Sequence, residues 1–378
     1  MIPAVRAPRF DVPMPHSLGV PPVVKIPLAR KNGSQRRVFQ RPASEELRAA
    51  LEQVLDRHFD RRWRIVTLKR RLSPYRSSFN LEELDLQFDD GTHLELIFKD
   101  LSRGAMLKDA RQARPDFLYQ PRREIQTYRQ VLARERLGTA TCHGAMIDVQ
   151  PGRYWLFLER VTGLELRHVG EFATWQQTGQ WLADLHTRFA PAAASLSESP
   201  ALRLLRYDDE YYRLWLHRAQ AFVQRAKLSK STGALKGFER LASRYDDIIE
   251  RLLSLPLTLI HGEFFPCNVL VQTNGGGRRV CPVDWEMASI GPGLIDLATL
   301  CAGWSERRRK MLALTYHSTL GRRNGWPPKQ DKFLVALDCC RLHLAVRMLG
   351  WSTNWSAPPQ HAHNWLGEAV RLAKELGL

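Results

Sequence analysis

Apolar positions along this chain change their period four times before residue 174. From Ser44 a helical spacing puts Leu47, Leu51, Val54 and Leu55 on one face as far as Phe59, which predicts an amphipathic helix with Ser44 as its N-cap. Between Arg62 and Asp100 the period shortens to two. Strands are predicted over 63–72, 81–88 and 93–101, the last two joined by the turn Asp89-Asp90-Gly91-Thr92. In the third strand Leu94, Leu96 and Phe98 share one face and Glu95, Ile97 and Lys99 the other, so Lys99 ends a strand on the side away from the main apolar row. Ile125, Tyr128, Val131 and Leu132 then return to helical spacing over 121–135. Two further strands, 145–149 and 154–159, flank the turn Gln150-Pro151-Gly152-Arg153.

After Val161-Thr162-Gly163 the pattern is helical near 174–189, 208–227, 235–253, 329–350 and 361–376, with one strand pair around 269–283 as the exception. The prediction is an α+β chain in two parts. A compact unit of five strands and one main helix occupies 44–158, a short connection 159–163, and a larger, mostly helical unit 164–378. Residues 1–43, rich in Pro and Arg without periodicity, are expected to form an extended or disordered basic arm.

Charge narrows the choice of partner only a little. Lys and Arg number 56 against 39 Asp and Glu, a formal +17, which favours anions such as nucleotides, acidic substrates, nucleic acid or anionic lipid. The arm carries Arg30, Lys31, Arg36, Arg37 and Arg41, yet it has neither interleaved aromatic residues nor a helix-turn-helix pattern, so nucleic acid is not an expected partner. The six cysteines form no CxxC pair and no zinc spacing, and read as small buried apolar residues of a reducing compartment. Pro3, Pro8, Pro13, Pro15, Pro21 and Pro22 interrupt any leader-like apolar core, and no later stretch approaches the roughly 18 apolar residues of a membrane helix. A cytoplasmic chain without membrane contact is expected.

The chemistry is concentrated in His261-Gly262-Glu263-Phe264-Phe265-Pro266-Cys267-Asn268, the strand Val269-Leu270-Val271, and Val280 to Val283 leading into Asp284-Trp285-Glu286. Apolar runs on either side of Asn274-Gly275-Gly276-Gly277 predict an antiparallel hairpin, whose entry and exit lie side by side. Asn268 enters that hairpin and Asp284 leaves it, so an amide oxygen and a carboxylate converge. Hard cations of the magnesium type take few such protein oxygens and complete their shell with water and phosphate. Glu263, five residues before Asn268, is placed to orient a hydroxyl and accept its proton. Phosphoryl transfer asks for a positioned nucleophile, bridging metal and a cation on the nucleotide. Lys99 can supply that cation, and Glu124 on the following helix can hold it by an ion pair.

In order and spacing these residues resemble the aminoglycoside phosphotransferase and choline kinase group, small-molecule relatives of the protein kinases, from about Trp63 to about Trp304 and more loosely to Trp351. The resemblance implies a bilobal protein-kinase-like fold and transfer of a phosphate from ATP, with Mg2+, to a hydroxyl of a sugar, amino alcohol, aminocyclitol or glycosylated natural product. It implies that Lys99 contacts phosphate with Glu124 as its helix partner. Glu159 to Gly163, including Val161, become the hinge that meets the adenine; Asn268 and Asp284 become metal ligands and Glu263 the base. Asp296 becomes the buried carboxylate that braces the catalytic loop, and Trp181-Leu182-Ala183-Asp184-Leu185-His186 the helix after the hinge.

Two departures stand out. Glu263 replaces the usual Asp, and the loop Ser73-Pro74-Tyr75-Arg76-Ser77-Ser78-Phe79-Asn80 holds no glycine, leaving Ser77 and Ser78 as candidate phosphate contacts. The first keeps an alternative open, a nucleotide-binding module without turnover. The strong positive charge favours a neutral or anionic acceptor over a polycationic one.

Overall fold

The computed structural model describes residues 41–75, 78–225, 232–274, 277–322, 328–351 and 363–378. Its amino-terminal lobe is a five-stranded antiparallel sheet of order β1-β2-β3-β5-β4. The strands are β1 (Ile65–Leu72), β2 (Asn80–Phe88), β3 (His93–Asp100), β4 (Cys142–Asp148) and β5 (Arg153–Glu159). Helix α1 (Ser44–Phe59) lays Leu47, Leu51, Val54 and Leu55 on the sheet face formed by Leu84, Leu86, Leu96, Phe98, Trp155 and Phe157. Fully burying each such side chain contributes about 1.5–3 kcal/mol, enough to fix the register of a sheet whose faces alternate. One residue out of step, Ile97 and Lys99 of β3 face the opposite side and line a cavity between the lobes.

Ser44 is the first helical residue and Ala43 the cap position, without a side-chain cap bond, so the expected capping role is not taken up. Residues 41–43, assigned to the arm, belong to the lobe: Arg41 and Arg70 both pair with buried Glu82, and Arg70 donates to Pro42 O at 2.7 Å. Residues 1–40 lie outside the described residues. Between β3 and β4 come α2 (Lys108–Ala113) and α3 (Pro121–Gln126), the latter continuing through a widened turn over Thr127–Val131 and a tightened one over Leu132–Arg134. The expected single helix over 121–135 is therefore three winding types in succession.

The carboxy-terminal lobe is built on α4 (Phe172–Phe189), α5 (Ala193–Glu198), α6 (Asp209–Arg225), α7 (Thr232–Ser243), α8 (Tyr245–Leu253), α9 (Leu294–Cys301), α10 (Glu306–Arg322), α11 (Gln330–Trp351) and α12 (Trp365–Glu375). The helix expected over 235–253 is two, because the chain breaks at Arg244. Strand content also exceeds expectation. The hairpin β9 (Val269–Asn274) and β10 (Gly277–Pro282) gains β6 (Leu164–Glu165), and a second sheet joins β7 (Leu205–Arg206), β11 (Ser289–Pro292) and β8 (Leu257–Ile260). Pairs of residues are too short to show a period.

The lobes are clasped beside the connection at 159–163. Arg279 of β10 donates to Gly138 O at 2.8 Å, to Thr139 O at 2.9 Å and to both oxygens of Glu159 at 2.6 and 2.9 Å. Among the described residues no helix is long and apolar enough to cross a membrane.

Candidate active site

The loop from His261 to Asn268 is set by β8 and held from behind by α9. After Ile260 the chain turns through Gly262, whose φ of 81° lies in the left-handed region. An added Cβ there would stand 2.3 Å from Met287 O, so both the turn and the close backbone approach demand glycine. Asp296 of α9, fully buried, accepts His261 N at 2.6 Å and Gly262 N at 2.9 Å, satisfying two donors that the turn strips from the strand ladder. His186, near the end of α4, reaches Asp296 from the other side at 3.5 Å and bonds Tyr316 OH at 2.8 Å. His261 lies 2.9 Å from Val283 O through Nε2 and accepts Glu263 N through Nδ1 at 3.3 Å. That pair of partners assigns a neutral ring protonated on Nε2, consistent with burial lowering its pKa.

Glu263 projects from this loop into the cavity, 8 % exposed. Burial pushes its carboxyl up to about 7, against the pull of the Arg347 guanidinium and with a further push from Glu286. Arg347 on α11 is 1 % exposed, donates to Gly262 O and Tyr207 OH at 2.8 Å each, and keeps Nε and Nη2 without hydrogen-bond partners among the described residues. Asn268 turns its amide nitrogen back to Glu263 O at 3.0 Å, which leaves its oxygen with only a weak thiol contact, Cys267 Sγ at 3.7 Å. Val283 N donates to Asn268 O at 2.8 Å, closing the hairpin mouth and bringing position 284 beside position 268. Asp284 adopts a left-handed conformation, φ 68° and ψ 59°, a strained geometry for a non-glycine residue.

Lys99 bridges the lobes. Its Nζ lies 2.7 Å from Glu124 Oε2 on α3 and 2.5 Å from Asp284 Oδ1. Burial opposes the ammonium charge, but Asp284 and then Glu124 outweigh it and hold the lysine above its ordinary value. Oxygens of Glu124, Asp284 and Glu286 lie within 4.8 Å of one another. Glu286 in turn is gripped by both terminal nitrogens of Arg114, one at 2.9 Å. Arg123, beside Glu124 on α3, donates to Glu286 O at 2.7 Å and to Arg203 O at 2.8 Å, fixing α3 to the segment after β10.

The cavity, about 250 Å3, thus gathers Lys99, Glu124, Ser78, Glu263, Asn268 and Asp284, together with Glu159 and Val161 at the hinge. Ser77 lies outside the described residues. The carboxylate of Glu159 is committed to Arg279, which also holds it down at about 2, so this residue offers the cavity its stem and backbone. Asn268 and Asp284 present oxygens of the kind a hard divalent cation takes, and their neighbourhood of carboxylates fits such an ion.

Arg114, Arg123 and Arg347 were not anticipated. Arg114 sits in the polar stretch Lys108 to Arg114, where nothing distinguishes it from a surface arginine. Arg347 did carry a signal, a lone charge among Leu342, Ala345, Val346, Met348 and Leu349.

The fold is a bilobal α+β one with the candidate site in the cavity between the lobes. Residues 93–330 match the phosphotransferase enzyme family, well over half of the chain, and the protein belongs to that family. No curated protein matches the sequence. Among solved structures, the chain is similar to the GDP complex of aminoglycoside 2'-phosphotransferase-IIIa, with 15 % identity over 87 % of this chain and 97 % of that one and a TM-score of 0.49. It is similar to a Plasmodium vivax ethanolamine kinase, with 9 % identity over 89 % of each chain and a TM-score of 0.49. A microcompartment-associated aminopropanol kinase has 14 % identity over 82 % of this chain and 90 % of that one, with a TM-score of 0.46.

Proposed function

We propose that this protein transfers the γ-phosphoryl group of ATP, with Mg2+, to a hydroxyl of a small neutral or anionic molecule. The observation that carries the reading is the convergence of Lys99, Glu124, Glu263, Asn268 and Asp284, from both lobes, on one cavity. Lys99 would exchange Asp284 for phosphate oxygens of the nucleotide while Glu124 keeps it in place. The hinge stretch from Glu159 to Gly163 would take the base. Asn268 and Asp284 would hold the metal, whose charge, once bound, offsets that on the phosphates. Glu263 accepts the proton of the attacking hydroxyl. A carboxyl near 7 is matched to that task, since a base titrating close to working pH combines availability with driving force. The formal +17 and the nearness of Arg347 to Glu263 support an acceptor without multiple positive charges.

The test is ADP production by the purified protein with MgATP and a panel of sugars, amino alcohols, aminocyclitols and glycosylated natural products. Turnover on at least one acceptor is expected, with Asp284→Ala reducing it to background. Tight nucleotide binding with no turnover on any acceptor would instead indicate a nucleotide-binding module.

A further inference from the structure

Three carboxylates, Glu124, Asp284 and Glu286, crowd within 4.8 Å at the phosphate end of the cavity. Two cations of the chain are already set among them. Lys99 serves Glu124 and Asp284, and Arg114 takes both oxygens of Glu286. Arg114 and Glu286 are each under a tenth exposed at the side chain, so this is a desolvated, fork-to-fork pair of the strong kind. Burial works against the charge of Arg114, but Glu286, Glu263 and Asp284 in that order outweigh it and keep it firmly protonated.

A kinase site of this sort commonly draws two divalent ions to the β- and γ-phosphates. Here the carboxylate that could recruit a second ion is spent on Arg114. Glu124 and Asp284 share Lys99, while Glu286 has both its oxygens occupied by Arg114. The guanidinium has five N–H donors and uses two on Glu286; Arg114 also lines the cavity beside Lys99 and Glu263. A planar fork with spare donors is well suited to phosphate oxygens.

We propose that Arg114, held by Glu286, contacts the transferring phosphoryl group and takes the place of a second divalent ion. The inference rests on the reading of the cavity as a site for nucleoside triphosphate and one metal ion. It makes Arg114 a phosphate-contacting residue, Glu286 its positioning residue, and the centre a one-metal centre.

Equilibrium dialysis of Mn2+ against the full-length protein with saturating β,γ-imido-ATP counts ions and nucleotide together, with no acceptor and no turnover required. One Mn2+ per bound nucleotide is expected for the wild type, and two for Arg114→Gln, in which Glu286 is released to bind metal. Arg114→Gln with Glu286→Gln should return the count to one. Two ions in the wild type, or one in a folded Arg114→Gln protein, overturns the proposal. The wild-type count decides by itself should the buried substitution prevent folding, which circular dichroism reads. Nucleotide bound with two ions leaves the phosphotransfer reading intact, whereas no nucleotide binding at all overturns both.

Discussion

Glu263 is under two opposed demands. As the proposed base it must be ionised, and with its carboxyl raised to about 7 the ionised fraction falls as pH drops below neutrality. With acceptor and MgATP well below saturation, kcat/KM should therefore decline about tenfold per pH unit well below 7. Stability runs the other way. A carboxyl raised in the folded state binds its proton more tightly there than in the unfolded chain. Its contribution is complete below about 4.5 and is lost as pH rises through about 7. Glu263→Gln should remove this slope. Measured between about pH 5 and 8, the wild-type melting temperature should fall relative to that of Glu263→Gln, while the variant loses on the order of 100- to 10,000-fold in kcat. A parallel pH course for both proteins would contradict the assignment. At this scale Lys99, Glu124, Asn268 and Asp284 each carry a local cue, a strand end, a helix position or a hairpin mouth, whereas Asp296 was marked only by the family resemblance. Arg114 has none, because its role depends on a contact 172 residues away in sequence.

At the scale of elements, the loop from His261 to Asn268 is a turn wedged between α9 and the segment after β10, and its geometry hangs on one residue without a side chain. Gly262→Ala forces a left-handed alanine, costing about 1–2 kcal/mol, and adds the encounter with Met287 O at 2.3 Å. Urea unfolding should show a loss of at least about 2 kcal/mol with an unchanged m-value. Activity should fall by more than stability implies, since Gly262 O is also a resting point for Arg347. A midpoint equal to that of the wild type would mean the loop can relax. The sequence made the loop and hairpin readable but not their support. Helix α9, Leu-Ile-Asp-Leu-Ala-Thr-Leu-Cys, is buried at every position and so has no amphipathic face to detect. Helix α10 opens on Glu-Arg-Arg-Arg-Lys, whose charges obscure the apolar positions Leu312, Ala313, Tyr316 and Leu320 that bury it. The break at Arg244 passed unseen because the apolar spacing runs on across it, through Leu241, Tyr245, Ile248 and Leu252.

For the whole molecule the two-lobe plan was legible because the change from a period of two to a helical period coincides with the hinge. The surplus of positive charge is a property of the same scale. It should appear as steering: kcat/KM for an anionic acceptor should fall as NaCl rises, beyond any change in kcat, while a polycationic acceptor should not show that fall. An identical salt response for acceptors of either sign would remove global charge from the account.

Arg279 also belongs to this scale. By holding Gly138, Thr139 and Glu159 to the hairpin it makes the rear of the cleft a fulcrum. A lever pinned there moves least beside the hinge and most at its far tip. Any opening would then break the Lys99–Asp284 and Arg114–Glu286 pairs and swing Ser78 and Arg114 away from Asp284 and Glu286 while the rear of the cleft keeps its width. On the proposed reading, product would leave past the reacting groups, and the base end of the nucleotide would be the last part to let go.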